Sequence, residues 1–403
     1  MVKYSCERCG KFFSQKSHYD SHNRRKTPCE NNSDKIKALV DKAVEEKIKE
    51  INDVNIKNIE NTKSNQIDII TEEKKIIVNS IETKNKLRVL DLFCGCGGMS
   101  KGLKDAGLKI VASLDIWDKA IDSYTQNFDH LSICEDICKL SPDIFDNKYK
   151  IGKDNIDLIV GGPPCQGFSI AGKRDIKDPR NSLFMEYVKY LNYFNPKAFI
   201  MENVMGILSM KNSSNEKVIN IIIEELSKNY NHIICKLYAS DFEVPQNRRR
   251  VIIMGIRKDL NIIPTEPIPI LTKENRITVK TILLPKEEVD AKKYLSERAL
   301  NGIKAKKEKS KKNGNGFGAQ YLNIDKPSYT IPARYWKDGY DALVKYSDTE
   351  VRRLTILELK RIQSFPDNFV LIGNNKDQII QIGNAVACRF AYHLGKHIIN
   401  TLP

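Results

Sequence analysis

From residue 87 onward the chain alternates short apolar runs with polar, glycine-bearing stretches. The run at 156–160 stops abruptly at GGPPCQGFS (161–169). Apolar residues ended by glycines and two prolines predict a buried strand, with Cys165 projecting from its carboxyl end. Runs at 87–93, 109–114, 194–201, 232–239 and 251–256 predict further strands, and 99–106 suits a helix. The order strand, glycine-rich turn, helix, strand, acid at 87–115 is that of a nucleotide-binding βαβ unit, so the fold class is α/β. Open sheets of this class keep their sites at the carboxyl ends of the strands, which is where Cys165 falls. A lone cysteine in a turn is otherwise read as a small buried thiol.

The pattern differs on either side. Residues 31–85 contain no Pro or Gly, and Ile36, Val40, Val44, Ile48, Ile51 and Val54 recur every three or four positions. That spacing predicts an amphipathic helix or a solvated linker. After 256, prolines at 264, 267, 269 and 285 and then a lysine-rich stretch replace the alternation and mark a second, smaller domain. Residues 292–312 carry nine Lys or Arg against two Glu, a balance of +7. A solvated helix face is one reading; a phosphate-positioning surface is the stronger one.

Composition narrows the class. The 403 residues carry a net charge of +15, which favours a polyanionic partner. No apolar run approaches the roughly 20 residues that span a bilayer, and the N-terminus shows no signal region, so a soluble intracellular protein without membrane partners is expected. Ten irregularly spaced cysteines read as reduced thiols, some with metal or catalytic roles.

Residues 1–30 form a separate unit. Cys6 and Cys9 make a C-x2-C knuckle, Phe13 follows as a core aromatic, and His22 and Cys29 complete a plausible tetrahedral Zn2+ set resembling a zinc finger with its last ligand changed. His18, on the same helical face as His22, is the weaker alternative to Cys29. Arg24, Arg25 and Lys26 beside the site suit an accessory module that contacts DNA, and a protein-binding finger would look the same.

Several motifs carry chemistry: FCGCGG (93–98), GGPPCQGFS (161–169), MENV (201–204), QNRRR (246–250), RLTILELKRIQSFPD (353–367) and QIGNAV (381–386). Singly each is ambiguous. In order and spacing they resemble the motif series of the cytosine carbon-5 DNA methyltransferases, over roughly 87–403. The resemblance implies a Rossmann-like S-adenosylmethionine-dependent methyltransferase domain (86–256), a target-recognition domain (257–352) and C-terminal segments that complete the catalytic domain (353–403), preceded by the zinc-finger-like module (1–30) and the linker (31–85).

It also implies a chemistry. Cys165 adds to carbon 6 of a flipped-out cytosine and activates carbon 5 for methylation. Glu202, which would have to carry a proton near neutral pH, contacts ring nitrogen 3 and the exocyclic amine; Arg250 holds the carbonyl oxygen and Arg248 supports it. The loop 166–178 closes over the base. Phe93, Gly95, Gly97, Asp115, Ile116, Asp136, Ile137, Pro163, Leu183, Asn384 and Val386 would surround S-adenosylmethionine, with Asp115 at the ribose and Asp136 at the adenine amine. The family usually has Glu at position 115, and an aromatic is common at 116, where Trp117 lies one place later.

The implied partner is double-stranded DNA, with a cognate restriction endonuclease in a restriction-modification system as a further partner the family allows; oligomeric state and target sequence are not legible. Within 257–352, GNGFGAQ (314–320) and ARYWKDGYD (333–341) add flexible glycines and aromatics near the cleft. Two other readings stay open. A tRNA cytosine methyltransferase shares these motifs, although its usual Cys-Phe-Thr signature is absent here. A catalytically silent DNA-binding protein would be expected to have lost Cys165, Glu202 or Arg250.

Overall fold

The computed structural model describes residues 4–6, 12–24, 86–164, 183–211, 215–312, 319–337 and 339–403. The chain divides into two compact units, Met1–Lys84 and Asn85–Pro403. In the first, strands β1 (Tyr4–Ser5) and β2 (Phe12–Phe13) pair antiparallel, with Tyr4 opposite Phe13, and helix α1 (Lys16–Asn23) follows. Cys6 and His22 are buried, His18 is exposed, and the Phe13 and His22 rings lie 4.9 Å apart. Cys9 and Cys29 lie outside the described residues, as does the 31–85 linker. Among the described residues no group of three or more His, Cys, Asp or Glu is placed to hold a metal ion.

The second unit is organised around β3 (Arg88–Leu92). The chain runs through α2 (Gly98–Ala106), β4 (Lys109–Asp115), α3 (Asp118–Asn127) and β5 (Leu131–Cys134) on one side of it. It then crosses through α4 (Pro142–Tyr149) to β6 (Leu158–Gly161), α5 (Leu183–Phe194) and β7 (Ala198–Val204) on the other. After α6 (Val218–Leu226), β8 (Tyr230–Tyr238) and β9 (Arg249–Arg257) add antiparallel to the edge. The seven-stranded order is β5-β4-β3-β6-β7-β9-β8, parallel from β5 to β7. The direction of winding therefore reverses between β3 and β6, and their carboxyl ends open the crevice where ligands of such sheets bind.

The apolar runs form strands because both faces are covered. Leu158, Val160, Ala198, Ile200, Ile252 and Met254 join one core, while Ile159, Phe199, Met201, Val251 and Ile253 join the other, so successive residues alternate between faces. The first face is closed by α2 and by the C-terminal helix Cys388–Thr401; a Cβ on Gly102 would collide with the carbonyl oxygen of Cys388 at the start of that helix. Only a residue without a side chain permits this approach.

The stretch after β9 has few regular elements: short 3-10 turns, α7 (Glu297–Lys312), and the small antiparallel pair β10 (Leu343–Lys345) and β11 (Val351–Arg353). Helix α7 is not polar all round, since Leu300 and Ile303 pack with Leu295, Leu343 and Val351. Then come α8 (Ile356–Ile362), α9 (Asn375–Asn384) and α10 (Cys388–Thr401). Thr355 and Glu358 form a reciprocal capping box that starts α8. Glu358 also takes two hydrogen bonds from fully buried Arg352, at 2.8 and 2.9 Å, and one from the backbone of Leu284. Every charge in this cluster is paired, which is what burial demands. No helix among the described residues is long and apolar enough to cross a membrane.

Candidate active site

The carboxyl ends of β3, β4, β6 and β7 open into one cleft of about 1260 Å³. Its first wall is the turn after β3. Phe93 (φ 59°), Gly95 (φ 54°) and Gly97 (φ 98°) all adopt left-handed backbone conformations. For Phe93 this is uncommon and is held by its surroundings: Cys94 N–H donates to the Leu114 carbonyl at 3.1 Å, and Gly95 N–H donates to Asp115 Oδ2 at 2.8 Å. The other oxygen of Asp115 accepts from Trp117 N–H at 2.9 Å. A carboxylate has about four acceptor sites, so each oxygen can still take another donor from a ligand. Burial raises the Asp115 pKa, and these backbone donors oppose the rise.

Asp136 and Ile137, beyond β5, continue this wall; Asp136 accepts from Cys138 N–H at 3.0 Å. Ile116 is 66% exposed at the rim. Leu183 at the start of α5, Pro163 after β6, and Asn384 and Val386 from the C-terminal segment also line the cleft. Gly97 is the N-cap of α2 rather than part of the lining.

The second wall carries the charges. Glu202 on β7 and Arg250 on β9 approach to 2.7 Å between Oε1 and Nε. This is an ion pair without hydrogen-bond alignment, since Arg250 Nε has no hydrogen-bonded partner among the described residues. The attraction of two opposite charges at this separation does not depend on where the hydrogens point. Register brings the two together: β7 and β9 pair antiparallel with Val204 opposite Arg250 and Glu202 opposite Ile252. Arg250 also donates to the Arg249 carbonyl at 2.8 Å. Arg248 is 4% exposed and donates to the Gly383 carbonyl at 3.1 Å, tying β9 to α9. Burial, and then the Arg250 charge beside it, lowers the Arg248 pKa to about 9, which leaves the side chain cationic at neutral pH.

Cys165 and the 166–178 loop lie outside the described residues. The preceding Pro163 and Pro164 line the cleft, and Asn203 on β7 donates to the Pro163 carbonyl at 3.1 Å. The structure thus gathers Glu202, Arg248, Arg250 and all the expected cofactor contacts except Gly97 around one space. It adds residues the sequence did not single out, Asp91 and the segment Thr330, Ile331 and Pro332, and it places Trp117 and Gln381 in the lining as well. The 330–333 wall follows from a long-range network that no local pattern announces. Fully buried Gln246 accepts from Ile331 N–H at 3.1 Å and donates to Gln363 Oε1 at 3.0 Å, and Gln363 donates to the Ile382 carbonyl at 2.8 Å.

S-adenosylmethionine can be tested against this lining. Asp91 Oδ1 and Gln381 Oε1 are buried acceptors in the cleft wall without a partner among the described residues, and the open rim offers an apolar face at Ile116. A ligand with N–H donors and a flat heterocycle meets both needs, so the residues fit this group.

The sequence profile described as "C-5 cytosine-specific DNA methylase" matches residues 87–400. The chain is 46% identical over 177 residues to Type II methyltransferase M.DdeI of Desulfomicrobium norvegicum, a match covering 43% of this chain and 41% of that relative. It is 35% identical over 310 residues to Type II methyltransferase M.DsaV of Dactylococcopsis salina, covering 75% of this chain and 83% of that one. In fold it resembles the crystal structure of S. pombe Dnmt2 methyltransferase, with a TM-score of 0.61 and 22% identity over 78% of this chain and 99% of that one. The chain therefore belongs to the C-5 cytosine-specific DNA methylase family, with S-adenosylmethionine as methyl donor and carbon 5 of cytosine in DNA as acceptor.

Proposed function

We propose that Cys165 is the nucleophile of this reaction, that Glu202, Arg250 and Arg248 hold the target base, and that the Phe93–Asp115 side of the cleft holds the methyl donor. The observation that carries this reading is the Glu202–Arg250 pair, 2.7 Å apart, in the same cleft as the Phe93–Gly95 turn and Pro164, the residue before Cys165. Carbon 5 of neutral cytosine is a poor nucleophile. Addition of the Cys165 thiolate to carbon 6 makes the ring an enamine whose carbon 5 can take a methyl group; loss of the carbon-5 proton then expels the thiolate. S-adenosylmethionine, when bound, supplies an electrophilic methyl group on a sulfonium.

In the free protein Glu202 is engaged by Arg250, whereas protonation of ring nitrogen 3 needs a carboxyl that bears a proton. Entry of the base parts the pair: Arg250 turns to the carbonyl oxygen, and Glu202 faces ring nitrogen 3 and the exocyclic amine. Arg248, fixed on the Gly383 carbonyl, keeps a positive charge beside the position where the adduct gathers negative charge. Pro163, Leu183, Ile137 and Val386 would pack the donor, with Asp136 and Asn384 as polar contacts.

The basic 257–352 region is assigned to duplex DNA recognition, and the N-terminal ββα unit to a zinc-bound accessory module using Cys6, Cys9, His22 and Cys29. The relatives' names as Type II methyltransferases support a place in a restriction-modification system. The test is labelled methyl transfer to duplex DNA and to tRNA in parallel, with Cys165→Ser alongside. Product on DNA that vanishes in the variant is expected; product on tRNA alone, or an active variant, overturns the assignment.

A further inference from the structure

One carboxylate in the cleft has no part in this scheme. Asp91, on β3, is 1% exposed. Its Oδ2 accepts a hydrogen bond from Ser100 Oγ on α2 at 2.5 Å. Ser100 Oγ accepts from the Tyr124 hydroxyl on α3 at 2.6 Å, and that hydroxyl is 2.8 Å from His130 Nε2. A hydroxyl has one hydrogen to give. Ser100 gives its hydrogen to Asp91 and Tyr124 gives its own to Ser100, so the Tyr124 oxygen accepts, and His130 must carry its hydrogen on Nε2. Every donor in the chain His130, Tyr124, Ser100 therefore points towards the Asp91 carboxylate, and such aligned bonds strengthen one another.

The chain ends on an oxygen with nothing to meet. Asp91 Oδ1 is buried, belongs to the cleft lining and has no partner among the described residues. A purely structural tie between β3 and α2 would not leave an acceptor facing a ligand cleft. Among the described residues the groups around Asp91 supply no cation: Asp115 on β4 repels it, and burial keeps the Cys94 thiol, the Tyr124 hydroxyl and the Tyr187 hydroxyl on α5 neutral. At the far end His130 is also neutral, its pKa lowered to about 4 by burial and by Lys104, with Asp129 opposing.

We propose that Ser100, Tyr124 and His130 form a relay of hydrogen-bond donors that sets the charge of Asp91, and thereby the pH at which the cleft accepts the ammonium group of an amino-acid-bearing ligand. This rests on the reading of the cleft as the S-adenosylmethionine site. The three relay residues are positioning residues; only Asp91 faces the ligand. Burial, opposed by the Ser100 hydrogen bond, brings the Asp91 pKa up to about 7. An ammonium ligand binds the ionised carboxylate, so its affinity rises with pH up to that value and is flat above it; well below it, affinity falls by at most about tenfold per pH unit.

The experiment is calorimetric binding to the full chain between pH 6 and 8.5, with two ligands. S-adenosylhomocysteine carries the amino-acid ammonium group; 5′-methylthioadenosine keeps the nucleoside thioether and lacks it. For the unaltered protein, S-adenosylhomocysteine affinity should climb towards a plateau above neutrality while methylthioadenosine affinity stays level. Tyr124→Phe keeps the ring in the core and removes the donor to Ser100. The midpoint should move up by roughly half a pH unit, giving a few-fold loss at pH 7 that is recovered at pH 8.5. Ser100→Ala, a smaller perturbation of the core, should shift the midpoint the same way. Asp91→Asn should abolish the pH dependence and weaken S-adenosylhomocysteine alone.

Parallel pH profiles for the two ligands would overturn the proposal. So would Tyr124→Phe and Ser100→Ala variants that lose the same factor at every pH. Failure of both ligands to bind the unaltered protein at any pH would instead overturn the reading of the cleft itself.

Discussion

The sheet at 86–256 and the stretch at 257–352 position side chains by different means. In the sheet, backbone register does the work: pairing of β7 with β9 sets Glu202 beside Arg250, and pairing of β3 with β4 and β6 sets Phe93, Asp115 and Pro163 around one opening. Register is fixed by two apolar cores, so a side chain there can move little without unpairing a strand. Among its described residues the 257–352 stretch has the short β10–β11 pair and isolated bridges such as Ser328 to Gln246 and Tyr294 to Arg352. Side chains, some from the flanking segments, hold it: Arg352 with Glu358, Ile331 N–H on Gln246, and the apolar contacts of Leu300 and Ile303. The candidate catalytic side chains are thus set by paired strands, while 257–352, proposed for DNA recognition, is held more by side chains than by strands.

The largest effect is expected at Cys165, the proposed nucleophile. Cys165→Ser should abolish methyl transfer in a labelled-methyl assay while the thermal unfolding midpoint stays near that of the unaltered protein. Glu202→Gln keeps the shape and removes the titrating group; kcat should fall by about 10²–10³-fold with stability little changed. The side-chain clusters that join 257–352 to its flanking segments should show the opposite signature. Glu358→Ala leaves Arg352 buried without its anion, and chemical denaturation should report a loss of about 3–5 kcal/mol. Gln363→Leu strands the Gln246 amide and should cost about 1–3 kcal/mol, with the loss of activity read as a raised KM for DNA. Deleting residues 1–30 should have the smallest effect on chemistry: methyl transfer on short duplexes persists, while elemental analysis should find zinc with the full chain and none after the deletion, as the proposed accessory module requires.

Strands β3, β4, β6 and β7 were legible because each is an apolar run ended by glycine, proline or an acid, and burial on both faces leaves that mark in sequence; the four-residue edge strand β5, largely unburied, left none. The glycine turn at 93–98 was legible for a related reason: left-handed conformations at Gly95 and Gly97 select glycine. Left-handed Phe93 carries no such mark. Nor could the sequence show that Arg248 reaches the Gly383 carbonyl or that the 330–333 segment closes the cleft, since these contacts join residues 135 and 85 positions apart. The lysine-rich stretch at 292–312 advertised its charge and concealed the buried Leu300 and Ile303 of α7. Glu202 was expected to contact the base, and the free protein places Arg250 against it. That pairing depends on strand register, which neither motif contains.

The most direct measurement is covalent trapping on a duplex carrying 5-fluorocytosine at the methylated site, with S-adenosylmethionine present and the adduct mapped by peptide mass spectrometry. Fluorine at carbon 5 cannot leave as a cation, so elimination stops and the thioether persists. The account predicts a stable protein–DNA complex whose modified peptide contains Cys165. Active enzyme that forms no adduct, or an adduct on another residue, would contradict it.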